Sequence, residues 1–203
     1  MNFGLLRVLN DDVVSGGQGF GQHPHENMEI ISIPLSGDLK HEDSMGNKTV
    51  IREGEIQVMS AGTGIFHSEY NANKEQAVEF LQIWIFPRSQ DIPPRYDQTE
   101  LNDLHLANTL HQVLSPNPSD QGVWIHQDAW FHIGTFNEGI ETVYPIKKEG
   151  NGIYAFVLEG SFDINGQRLE KRDALGIWET LELSIHSLDL NSRLLLIDVP
   201  MAF

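Results

Sequence analysis

The chain has 203 residues with 13 basic against 29 acidic side chains, a formal net charge of -16 that disfavours direct binding to nucleic acid or to an anionic membrane. It has no cysteine, hence no disulfide framework, which fits a reducing compartment. No apolar run is long enough to span a bilayer and the start is not a basic region followed by an apolar run, so we expect a cytoplasmic protein, built as one large all-β domain or two small ones.

Apolar positions alternate with period two between glycine-rich turns, the pattern of many short strands. Phe3 to Asn10 is the first, followed by an acidic, glycine-rich loop from Asp11 to Gly19. The next strand carries His23 and His25 around Pro24, which lacks an N–H and belongs at a strand end or edge. Met28 to Leu35 is a strongly apolar strand closed by Ser36-Gly37. Asp38 to Asp43 and a strand from Lys48 flank a turn at Ser44-Met45-Gly46-Asn47, where glycine and asparagine tolerate positive φ. Gly54 to Met59 leads through a glycine-rich loop to the strand of His67 and Glu69. Ala77 to Phe86, nearly continuous in apolar residues, should be buried on both faces.

From Pro87 to Gly122 proline, asparagine, aspartate and serine dominate, as in a linker, with one short helix expected near Glu100 to Asn108. The expected organisation is a metal-binding domain over 1–100, a linker over 101–122 and a second domain over 123–203. In that second domain Ile153 to Leu158 and Glu159-Gly160 echo Ile30 to Leu35 and Ser36-Gly37, which makes it a degenerate copy of the first. On this register Ile146, Lys148 and Gly152 replace His23, His25 and Glu29. His186 and Leu188 stand at His67 and Glu69, so His186 is read as structural and the copy as lacking metal ligands.

His23 with His25, and His67 with Glu69, are pairs two residues apart, and on extended chain such pairs share one face. Side by side, two such strands would aim four ligands at one point. A lone histidine is usually a surface or satisfied core residue; three histidines and a glutamate in two such pairs, both in glycine-rich context, point instead to a metal. Neutral imidazoles and a carboxylate suit Fe(II), Mn, Co, Ni, Cu or Zn. Around an octahedral ion they leave two positions, enough for a substrate oxygen and dioxygen together. His41 and Asp43 are read as a solvated strand face, and Trp84 and Trp178 as core. His105, His111, His126 and His132 lack partner spacing and receive no role.

Gly19, His23, His25, Glu29 and Gly37, and then Gly54, Gly62, Gly64, His67 and Asn71, resemble the two cupin motifs. Gly19-Phe20-Gly21-Gln22-His23-Pro24-His25, Asp43-Ser44-Met45-Gly46-Asn47 and the run from Met59 to Asn71 with His67-Ser68-Glu69 are similar to the pirin family, over essentially the whole chain. The resemblance implies two tandem cupin (jelly-roll-like) β-barrels. The first would bind one metal, usually iron, through His23, His25, His67 and Glu69, with Glu29 backing the ligands or the fold. Bacterial members are linked to quercetin 2,3-dioxygenase activity, which implies a flavonol-like aromatic substrate and dioxygen, with Glu69 placed to accept the proton of the substrate hydroxyl. Other members are iron-binding regulators without turnover that act on a protein partner. Pirin-like chains carry some tens of residues before the strand matching Phe3 to Asn10, whereas Met1 stands almost at that strand here, so the protein is natively short, its start is misassigned or this is a fragment; if those residues are truly missing, a more open pocket and an exposed strand edge are expected. No substrate-binding residue is assigned.

Overall fold

A computed structural model describes residues 2–202; Met1, on which the expectation about the amino terminus turns, lies outside them. The described residues form strands and turns with no helix. In chain order the strands are β1 (Leu6–Val14), β2 (Gly19–His25), β3 (Glu29–Ser36), β4 (Leu39–Asp43), β5 (Lys48–Ile51), β6 (Glu55–Ser60), β7 (Ile65–Asn71), β8 (Val78–Ile85) and β9 (Arg95–Glu100). There follow β10 (Thr109–Ser115), β11 (Val123–Trp124), β12 (Trp130–Phe136), β13 (Glu141–Pro145), β14 (Asn151–Glu159) and β15 (Phe162–Ile164). The last are β16 (Gln167–Leu169), β17 (Ala174–Ile177), β18 (Glu182–Ser187) and β19 (Ser192–Pro200).

The chain divides into two compact units. The first comprises Leu6–Leu101 and Asn117–Gln127, the second Phe3–Leu5, Asn102–Pro116 and the chain from Asp128 onward. The 101–122 segment therefore contributes to both, and it contains β10. The helix expected near Glu100 to Asn108 is absent; the segment turns instead, with Asn108 at positive φ and its side chain accepting from the Asn137 amide at 2.8 Å.

In the first unit antiparallel strands run in the orders β1-β8-β3-β6-β9 and β2-β7-β4-β5. β8 lies between β1 and β3, which explains its unbroken apolar run: Phe80, Leu81, Ile83 and Ile85 are all fully buried. Leu39 and Ile51 from one sheet pack with Val78 and Phe80 from the other, each burial worth about 1.5–3 kcal/mol. The turn between β4 and β5 is held by Asp43, whose carboxylate accepts from the Met45 amide (2.9 Å), the Asn47 amide (3.1 Å) and Asn47 Nδ2 (2.8 Å). β1 continues through Asp11 and Asp12, which the sequence placed in a loop. Asp11, exposed and paired with Leu81, is the kind of charged side chain that an edge strand carries to discourage further pairing.

The second unit repeats the pattern, with β12-β19-β14-β17 matching β1-β8-β3-β6, and β13-β18-β15-β16 matching β2-β7-β4-β5. Its ladders correct the expected register of the copy. Leu39, two residues past Gly37, pairs with Asn71; Phe162, two residues past Gly160, pairs with Ser187. Counting back along β7 and β18, His67 and Glu69 correspond to Leu183 and Ile185, not to His186 and Leu188. Because His23 pairs with His67 and Tyr144 with Leu183, His23 corresponds to Tyr144 and His25 to Ile146. The slip arises between β13 and β14: six positions separate Ile146 from Gly152, but four separate His25 from Glu29. Tyr144, Leu183 and Ile185 belong to the apolar core of this unit, and Ile146 packs against it.

Candidate metal centre

β7 carries the centre. Its alternate residues Ile65, His67, Glu69 and Asn71 turn inward and are buried, while Phe66 and Tyr70 face outward and are exposed. Asn71 fastens the end of the strand: its Nδ2 donates to the Val14 and Gln76 carbonyls at 2.9 and 2.7 Å, and its Oδ1 accepts from the Asn73 amide at 2.8 Å. At the other end Gly62, at φ +46, makes the turn out of β6; a Cβ there would meet the Ile92 carbonyl oxygen at 1.9 Å. On one flank His23 of β2 lies directly opposite His67, after a β-bulge between Phe20 and His23. On the other flank His41 of β4 lies opposite Glu69.

His23, His25 and His67 bring one nitrogen each to within 4.8 Å of one another. His23 Nε2 and His67 Nε2 are 3.0 Å apart. Nitrogens about 2.1 Å from an ion and at right angles across it would be separated by about 3.0 Å, so this spacing suits two adjacent ligands. The His23 ring is turned by its Nδ1, 2.8 Å from the Gly21 carbonyl; donation of that N–H leaves the Nε2 lone pair free. His25 Nε2 is buried and has no hydrogen-bond partner, as a nitrogen reserved for a metal would be. Burial first, and then the neighbouring His23, pulls the His25 pKa down to about 4. Burial and the surrounding imidazoles pull that of His67 down to about 2. Both rings are therefore neutral at pH 7 and can offer lone pairs. The donor set fits a divalent transition metal.

Glu69 does not close a single quartet with these three. It forms a second trio with His41 and His67, again within 4.8 Å, so His67 is common to both groups. Its side chain is fully buried. Oε1 accepts from Ser32 Oγ at 3.1 Å and Oε2 from Gln82 Nε2, whose own Oε1 accepts from Trp84 Nε1 at 3.1 Å. Burial raises the Glu69 pKa, against the hydrogen bonds from Gln82 and Ser32. Each carboxylate oxygen retains a lone pair beyond these bonds.

His41 and Asp43 are not solvated as expected: both side chains are fully buried, with His41 Nε2 donating to Asp43 Oδ2 at 3.2 Å. Burial lowers the His41 pKa, against the pull of Asp43. Glu29, also fully buried, directs its carboxylate to Ser60 Oγ (2.8 Å) and His126 Nδ1 (3.3 Å), which gives His126 a partner that spacing did not reveal. Trp84 stands edge-on to the His25 ring at 4.9 Å, whereas Trp178 is 55% exposed and is not core.

A cavity of about 220 Å³ opens onto the cluster, lined by Asn10, Asp12, Phe20, His23, His25, Glu69, Gln82 and Trp84. Sequence reasoning missed Ser32, Gln82, Asn10 and Asp12. The available signals were the two-residue spacings Asn10/Asp12 and Gln82/Trp84, but neither pair reads as metal-binding by residue type.

Residues 2–85 match the family model of pirin, and residues 112–199 that of the quercetinase C-terminal cupin domain. A quercetin 2,3-dioxygenase of Escherichia coli strain K12 is 42% identical over 200 residues, 98% of this chain and 84% of that protein. A pirin-like protein of Caulobacter vibrioides is 36% identical over 199 residues, with the same coverage of 98% and 84%. The crystal structure of YhhW from Escherichia coli matches with a TM-score of 0.92 at 41% identity, over 98% of this chain and 83% of that one. A structure of the bacterial pirin YhhW in complex with nickel(II) matches with a TM-score of 0.91 at 40% identity, over 98% and 84%. No described helix is long and apolar enough to cross a membrane.

Proposed function

Since the chain belongs to the pirin family, we propose that it is a metal-dependent dioxygenase acting on a flavonol such as quercetin, with one iron(II) held by His23, His25 and His67 and by Glu69, which would leave its second trio to reach the ion through their shared neighbour His67. The observation that carries this is the convergence of three imidazoles, with His23 and His67 nitrogens 3.0 Å apart, beside a cavity that His23, His25 and Glu69 line. A divalent metal bound there would supply Lewis acidity, lowering the pKa of a substrate hydroxyl, and room for dioxygen.

The chain's own residues do the rest. Phe20 and Trp84 offer apolar walls to a planar ring. Glu69 is the carboxylate that would take the hydroxyl proton on loosening from the metal, and Ser32 and Gln82 hold it in place. At about 220 Å³ the cavity is smaller than the roughly 300–1,000 Å³ of drug-sized ligand sites, so it encloses the reacting edge of a flavonol and leaves the rest outside.

The test is oxygen uptake with quercetin by metal-loaded, chelated and Glu69→Gln protein, with elemental analysis of each preparation. Uptake should require metal and fall about 100-fold or more in the variant. A metal-replete protein that consumes no oxygen would sink the dioxygenase and favour the iron-binding regulator acting on a protein partner.

A further inference from the structure

Asp12 is a carboxylate without a counterpart. It lies on β1 beside Asn10, half-buried, and lines the same cavity as Glu69. Among the described residues its carboxylate has no hydrogen bond or ion pair, and its electrostatic neighbours Asp11 and Glu69 carry like charge. Burial and Asp11 push its pKa up. Desolvating a charge without a partner costs stability, so a purely structural role does not account for it.

The second unit supplies an independent observation. Asp12 and Pro34 both pair with Phe80, as Gly134 and Val157 both pair with Leu194, so Gly134 occupies the Asp12 position. The same ladders place Leu196 at Gln82 and Ala155 at Ser32. Where the candidate ligands are lost, the carboxylate is lost with them.

We propose that Asp12 is a specificity-determining residue whose carboxylate, with Asn10 beside it, accepts a hydrogen bond from a second hydroxyl of the substrate. The cavity then selects planar aromatics that bear a further hydroxyl besides the one that reacts. The inference rests on the dioxygenase reading and extends it to the substrate class. Its chemistry is that of a charged acceptor meeting a neutral donor, and no bond is made or broken.

The experiment compares wild type with Asp12→Asn and Asp12→Val on quercetin and on 3-hydroxyflavone, which carries only the reacting hydroxyl. Both variants should raise KM for quercetin, by about tenfold or more for Asp12→Val, and leave KM for 3-hydroxyflavone unchanged; because the Asp12 charge also raises the Glu69 pKa, any change in kcat should be the same on both substrates. Their thermal midpoints should equal or exceed that of wild type, because an uncompensated charge has been removed. Equal KM shifts on the two substrates or a lower midpoint would each overturn the assignment. If wild type consumes oxygen with neither compound, the dioxygenase reading has failed, and anaerobic binding followed by tryptophan fluorescence decides the matter separately. A wild-type preference for quercetin that the variants lose would uphold Asp12 as the selector; equal or absent binding of both compounds would remove it.

Discussion

His25 and His67 are held neutral chiefly by burial, with pKa values down at about 4 and about 2 from an ordinary 6.5. In the absence of metal the unfolded chain therefore binds protons at these positions where the folded protein does not. Stability from them is fully present above pH 6.5 and is lost as pH falls towards those lower values. Glu69 acts in the opposite sense: its raised pKa gives a contribution that is lost as pH rises above the ordinary 4.5. The histidine term is isolated by comparing chelated wild type with chelated His67→Asn. Wild type should lose more thermal stability between pH 6.5 and pH 4, and parallel profiles would contradict the neutral state of His67. The three histidines were legible in the sequence because side-chain direction alternates along any strand. Their protonation was not, because burial depends on what the rest of the chain packs over them.

At the scale of elements, β7 depends on the turn that delivers it. Gly62 combines positive φ with a backbone oxygen 1.9 Å from where a Cβ would sit, so no rotamer change can relieve the contact. Gly62→Ala should cost about 2–3 kcal/mol in urea unfolding. Gly21→Ala, whose Cβ would find only the Tyr70 hydroxyl at 3.8 Å, should stay within about 0.5 kcal/mol. Equal effects would mean that the turn does not set the strand. The glycine-rich approach to His67 was visible in sequence, as was the hairpin at Met45-Gly46-Asn47. The expected helix near Glu100 to Asn108 was not found, because polar, proline-flanked sequence at that length forms turns as readily as a helical turn.

For the whole molecule the dominant quantity is the charge of -16, which repels itself in the compact state. Raising ionic strength from about 0.01 M to about 0.15 M shortens the screening length from about 30 to about 8 Å and should raise the thermal midpoint in calorimetry. A midpoint that falls with salt would show that specific ion pairs outweigh the general repulsion. The all-β class and the two-barrel repeat were determined by the sequence itself, as was the nomination of His23, His25, His67 and Glu69, since period-two alternation, turn residues and two-residue spacings are local and survive any arrangement of strands. Tertiary structure alone decided that Glu69 joins His41 and His67 in a second trio and that Asp12, Gln82 and Trp84 wall the cavity. It also decided that Tyr144, Ile146, Leu183 and Ile185 stand at the positions of His23, His25, His67 and Glu69 in the copy. Those facts depend on ladder register between strands far apart in the chain. A bulge in β2 and a connection longer by two residues before β14 shift that register without leaving a local signature.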